Sequence, residues 1–121
     1  MQVKLLNNFI TMGQVALVVE AMQAADRAGV DRRTLFSILS QGAANSGTLQ
    51  KMVPPALEDD YTGHTFSLGN GAKDVRYGRE LLTDSETGNI MSEALDRYYT
   101  HQLNKYPDDI LLSQLLVPEK R

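Results

Sequence analysis

The chain has no cysteine and no tryptophan, and only two histidines among its 121 residues. Without a thiol there is no disulfide framework, no thiolate metal site and no cysteine nucleophile. His64 and His101 stand far apart in sequence, so a zinc site would need distant carboxylates, and no metal is expected. Basic excess is also lacking. The 12 Lys and Arg against 15 Asp and Glu leave a net charge of −3, a poor basis for binding nucleic acid or an anionic membrane. Uninterrupted apolar runs of about twenty residues are missing too. The most apolar stretch, Phe9 to Ala25, carries Gln14, Glu20 and Gln23 and follows Lys4, Asn7 and Asn8. It therefore reads as neither a membrane span nor a signal peptide, and a soluble, cytoplasmic chain is expected.

What is present is ordinary globular composition, 42% hydrophobic and 22% charged, at the length of one domain. Leu5, Phe9, Met12, Ala16, Val19 and Met22 recur every three or four residues and predict one helix over residues 2–28, stopped by Gly29. Val15, Leu17 and Val18 widen its apolar surface beyond one face. Asp31 is a natural N-cap for a short helix through Leu39, with Leu35, Phe36 and Leu39 inward. Residues 40–47 form a loop, and 48–57 hold a helix broken or restarted at Pro54 and Pro55. The acidic run at residues 58–60 reads as a solvated loop. Ser67 can cap a helix to Leu82, although Gly69 and Gly71 weaken its first turn. Thr87 or Gly88 opens the next, through Leu103, with Ile90, Ala94, Leu95 and Tyr98 at helical spacing. Pro107 and Asp108 open a last one, from Asp109 to Leu116. No alternating β-branched run occurs, so the fold class is all-α: five to six helices around a long first one.

Candidate chemistry is sparse. Gly69-Asn70-Gly71 lacks the preceding strand and the third glycine of a dinucleotide fingerprint, since position 74 is Asp. Ser46 has no strand-turn-helix elbow and no neighbouring base. Lys4 and Asn8, four residues apart, share one helix face. They are either a wet helix start or a lysine general acid/base with an amide partner. Lys73-Asp74 by itself is a surface pair.

Several segments taken together change that balance: the opening Lys4-Leu5-Leu6-Asn7-Asn8, Glu20-Ala21, and Ala28-Gly29-Val30-Asp31. Ser46, Phe66 and Lys73-Asp74-Val75 follow in order. In this order and at this separation they resemble the C-terminal domain of the β-hydroxyacid dehydrogenases, which include 3-hydroxyisobutyrate dehydrogenase and 2-hydroxy-3-oxopropionate reductase and are related to 6-phosphogluconate dehydrogenase. The resemblance implies a 6-phosphogluconate dehydrogenase C-terminal-like fold. It makes residues 1–121 a single substrate-binding and dimerisation domain without the N-terminal nucleotide-binding domain. It implies an NAD(P)-dependent oxidoreductase that interconverts a small β-hydroxy acid and its semialdehyde or keto form, the isolated piece being inactive. Lys4 becomes the catalytic acid/base; Asn8, Phe66 and Asp74 the substrate-binding residues; Lys73 a cofactor contact. NAD or NADP would be held mainly by the other domain. The implied partners are the hydroxy acid, that nucleotide-binding domain and a second copy of the chain. A non-catalytic helical interaction module that keeps the family fold is the alternative.

Overall fold

The computed structural model describes residues 2–82 and 89–119. Five α-helices are present, α1 (Gln2–Ala28), α2 (Arg32–Leu39), α3 (Gly47–Leu57), α4 (Leu68–Leu82) and α5 (Ile90–Lys105), followed by a 3-10 helix at Leu112–Leu116. Among the described residues there is no β-sheet, so the all-α expectation holds. The residues fall into two compact units. Of the described residues, one unit comprises 2–16 with 66–82 and 89–110, the other 17–65 with 111–119, so α1 contributes its first half to one and its second half to the other.

In the first unit, Met12, Val15 and Ala16 of α1, Leu68, Ala72 and Val75 of α4 and Tyr99 of α5 are buried. Tyr99 is fully enclosed, and its hydroxyl donates to the Met12 carbonyl at 2.7 Å. Burial, with Tyr98 beside it, pushes that phenol well above its ordinary pKa. The inward face of α5 carries Ser92, Tyr99 and Gln102. The expected face was rotated: Ile90 is 71% exposed and Ala94 is also outward. Apolar spacing could not show that a tyrosine must reach the α1 backbone. Arg79 of α4 bonds Asp96 at 2.8 Å and Glu93 at 3.2 Å, pinning α4 to α5.

The start of α4 shows why Gly69 and Gly71 do not break it. The Leu68 N–H donates to the Ile110 carbonyl and the Gly69 N–H to the Asp108 carbonyl, each at 2.8 Å. Ser67 Oγ accepts from the Asn70 N–H at 3.2 Å. Three first-turn donors that an ordinary helix leaves orphaned thus have partners. The same bonds commit residues 108–110 to irregular backbone. The last helix consequently begins at Leu112, not Asp109, after an extended Leu111 (φ −76°, ψ 147°). The expected start of α5 at Thr87 or Gly88 lies outside the described residues; its end runs two residues past Leu103, to Lys105. Of the four residues expected at helical spacing, Leu95 and Tyr98 are half-buried.

In the second unit, Val19, Met22 and Ala25 of α1, Leu49, Met52, Val53 and Ala56 of α3, and Leu112, Leu115 and Leu116 are buried. α1 ends as expected. Gly29 adopts φ 76°, its N–H reaches the Asp26 carbonyl at 3.2 Å, and the Val30 N–H reaches the Ala25 carbonyl at 2.8 Å. Asp31 caps α2, accepting from the Thr34 N–H and hydroxyl at 3.0 Å each. Those bonds lower its carboxyl pKa. α2 has no fully buried residue, so Leu35, Phe36 and Leu39 are only half-inward. Ser46 caps α3, its Oγ accepting from the Leu49 N–H at 3.0 Å. The helix runs unbroken through Pro54 and Pro55. Arg32 forms a two-pronged bond to Asp26 (2.9 and 2.7 Å) and donates to the Leu116 carbonyl at 2.7 Å.

α1 is long and apolar enough to cross a membrane by length and composition alone. Its residues Met12, Val15, Val19 and Met22 are nevertheless at most 2% exposed, and its Met12 carbonyl takes a buried tyrosine. One face of α1 is thus core, while Val3, Ile10 and Leu17 elsewhere on the helix remain exposed.

Candidate functional site

Five residues singled out from the sequence, Lys4, Asn8, Phe66, Lys73 and Asp74, all lie in the first unit. Lys4 and Asn8 occupy successive turns of α1, with Lys4 exposed and Asn8 half-buried. Lys73 and Asp74 sit in the second turn of α4, and Phe66 is half-buried two residues before that helix starts.

Two of the five meet directly. The Asn8 side-chain amide donates to a carboxylate oxygen of Asp74 at 2.9 Å, joining residues 66 positions apart. The helices can come this close because of a neighbouring pair one turn along. A Cβ at Gly78 would stand 3.1 Å from Phe9 Cδ1 and 3.2 Å from its Cβ, so α4 lies directly on the Phe9 ring where it has no side chain. Phe9 follows Asn8, and Gly78 lies four residues after Asp74. One helix register therefore packs ring on glycine and places amide on carboxylate.

The sequence-predicted lysines are arranged differently. Lys4 lies one turn before Asn8 on the same face of α1, open to solvent. Lys73 is exposed on α4, with its ammonium 5.8 Å from the centre of the Tyr77 ring. Tyr77 was not anticipated, although the four-residue spacing from Lys73 is the one at which helix neighbours touch. Asn7 is another neighbour of the site. Its side-chain amide donates to Asn8 Oδ1 at 3.3 Å, while Thr11 Oγ1 donates to the Asn7 backbone carbonyl at 3.0 Å. The arrangement supplies an exposed ammonium, an oriented carboxamide and a carboxylate along α1 and α4. That is a set able to exchange a proton and hold a polar, oxygen-bearing small molecule.

The second unit holds an open cavity of about 630 Å³, lined in part by Asp26, Arg32, Arg33, Asp59, Tyr61 and Glu119. None of the five site residues lines it. Its guanidinium groups are already paired with carboxylates, Arg32 to Asp26 within the lining and Arg33 to Glu58, at 2.7 Å each. Ser46 is occupied as the α3 cap and contributes no nucleophile. Among the described residues no group of three or more His, Cys, Asp or Glu could hold a metal ion.

Comparison with known proteins bears on all of this. A family model described as "NAD-binding of NADP-dependent 3-hydroxyisobutyrate dehydrogenase" matches residues 1–112. The L-threonate dehydrogenase of Cupriavidus necator is 34% identical over 61 residues, which is 50% of this chain and 20% of that protein. The crystal structure of 3-hydroxyisobutyrate dehydrogenase from Salmonella typhimurium matches over 94% of this chain with a TM-score of 0.82, at 18% identity. That likeness is one of fold, and it covers 40% of the larger chain. The chain thus spans well under half the length of either relative.

Proposed function

Since the chain belongs to the 3-hydroxyisobutyrate dehydrogenase family of NAD(P)-dependent hydroxyacid dehydrogenases, we propose that it is the helical, substrate-binding part of such an enzyme. The reaction is the interconversion of a small β-hydroxy acid and its semialdehyde or keto form. The observation that carries this reading is the 2.9 Å bond between Asn8 and Asp74. It unites two motifs far apart in sequence into one polar site, one helical turn from an exposed lysine.

Lys4 is the acid/base. In oxidation its neutral amine takes the proton of the substrate hydroxyl while the hydride leaves the same carbon; in reduction its ammonium returns a proton to the carbonyl oxygen as charge develops there. Asn8 contacts the reacting oxygen, and Phe66 gives the site an apolar wall. When bound, the nicotinamide supplies the hydride acceptor or donor. Lys73 fits a place beside it, because its ammonium is solvent-facing and backed by the Tyr77 ring, leaving its N–H donors directed outward. Among the described residues there is no strand-turn-helix to hold a dinucleotide, so most of the cofactor is held by a separate nucleotide-binding domain. A second copy of the chain completes the assembly.

Lys4→Ala in the whole dehydrogenase tests the assignment. Turnover of hydroxy acid with NAD or NADP should fall by about 10²-fold or more with KM changed far less, the size expected for losing a positioned general acid/base. Near-normal turnover would overturn it.

A further inference from the structure

The partners of Asn8 specify more than a contact. An ionised carboxylate only accepts hydrogen bonds, so the Asp74 oxygen at 2.9 Å fixes which end of the Asn8 carboxamide faces it: the NH2 end. The carbonyl end then points away, and there it accepts from the Asn7 amide at 3.3 Å. Turning the carboxamide over would set its oxygen against a carboxylate and its NH2 against another NH2. The carboxylate end rejects that orientation, whereas the exposed Asn7 amide can turn with its neighbour, so Asp74 decides it. An exposed asparagine on a single helix would sample both, and would spend part of its time presenting the wrong group to a ligand.

We propose that Asp74 is a positioning residue that holds the Asn8 carboxamide in one orientation, so that it reads a hydroxyl or carbonyl oxygen of the substrate and not the acid end. Once both partners are counted, Asn8 has one N–H and one carbonyl lone pair left. A hydroxyl, which both donates and accepts, satisfies that pair; the corresponding carbonyl uses the N–H alone. The substrate carboxylate is directed elsewhere, because the Asp74 charge stands directly behind Asn8 and like charges in one site repel. The role follows from which atoms bond, and it rests on the reading of Asn8 as the substrate contact. It changes the part assigned to Asp74, which acts on substrate through Asn8.

Two measurements separate this inference from the reading beneath it. The first needs no substrate. In wild type, NMR of the Asn8 side-chain amide should show one proton shifted downfield and slowed in exchange. Asp74→Asn, which replaces the charged acceptor by a neutral one, should diminish both signatures. The second uses the whole dehydrogenase. Asp74→Asn should lower kcat/KM for the hydroxy acid by about tenfold or more, the equivalent of one hydrogen bond to a charged group, and Asn7→Ala by less. The exchange variant Asn8→Asp with Asp74→Asn keeps a donor and an acceptor between the helices but moves the charge onto the substrate side. It should fold with near-native thermal stability and still lack activity. Recovery of wild-type kcat/KM by that exchange, or Asn8 amide signals unmoved by Asp74→Asn, would overturn the proposal. A wild-type enzyme that turns over no hydroxy acid would defeat the dehydrogenase reading while leaving the NMR result to stand by itself.

Discussion

Single side chains in this molecule are set by what their neighbours deny them. His64 is nearly enclosed in the second unit, where its backbone N–H donates to Ser113 Oγ at 2.7 Å. Burial first, and the charge of Lys51 second, hold its imidazole below the ordinary pKa of 6.5. The native state therefore favours the neutral ring, while the unfolded chain takes up a proton near pH 6.5. As pH falls through that value, the unfolded state binds more protons than the native state, so stability declines down to the lower native pKa and levels off beneath it. Above pH 7 the contribution of His64 is constant. Chemical denaturation at pH 7.5 and at pH 5.5 should show a loss at the lower pH that shrinks in His64→Gln. Equal losses in the two proteins would remove His64 as the cause. Asp31 shows the same logic from the acidic side, its carboxyl held below its ordinary pKa by the Thr34 bonds that cap α2.

At the scale of elements, α3 carries two adjacent prolines without a break, and a loop packs closely against it at that point. Proline has no N–H, so Pro54 and Pro55 leave the Lys51 carbonyl with neither of the donors, three and four residues on, that would normally serve it. Gly63 lies against that oxygen so closely that a Cβ there would overlap it and stand 3.0 Å from Pro55 Cγ. Gly63→Ala should thus destabilise by about 1–3 kcal/mol, the usual cost of forcing atoms into a packed site, measurable as a lower denaturation midpoint at unchanged slope. A neutral result would show that the 58–65 loop can shift off the helix. This is also where reading the sequence reached its limit. The bounds of α1, its Gly29 stop and the Asp31 cap were legible because each is a local signal spanning a few residues. The continuity of α3, the inward face of α5 and the late start of the last helix were not. The last two depend on partners distant in sequence, Met12 for Tyr99 and Leu68 and Gly69 for the 108–110 backbone. The packing of Gly63 against Lys51 is likewise long-range. The site follows the same division. Lys4 and Asn8 could be placed on one face by spacing, but that Asn8 and Asp74 share a site was implied only by family resemblance, and neither their bond nor Tyr77 beside Lys73 was foreseen.

For the molecule as a whole, the apolar surface left outside bears on assembly. The widened stripe expected of α1 is partly used within the chain, since Val15 and Met22 are buried. Leu17 remains 65% exposed, and it continues a row with Val3, Leu6 and Ile10, which are 81%, 41% and 61% exposed. Positions 3, 6, 10 and 17 follow the three-then-four spacing of a helix seam, and the vacant place in that row, position 13, is a glycine. Such a row is self-complementary: a second α1 set against it by a two-fold axis meets leucine, isoleucine and valine of its own kind, and each chain uses the same patch. Charged residues would be expected along a face meant for water, and this one carries none at those positions. We therefore expect a homodimer or larger assembly that buries at least about 1,000 Å² in total. Sedimentation equilibrium at micromolar concentrations should give a mass at least twice 13.4 kDa for this chain. Ile10→Glu with Leu17→Glu should return it to the monomer, with helix content intact because both side chains are exposed. A clean monomer mass for the unaltered chain at every concentration would show that the row stays in solvent, and the α1 seam would then have no role in assembly.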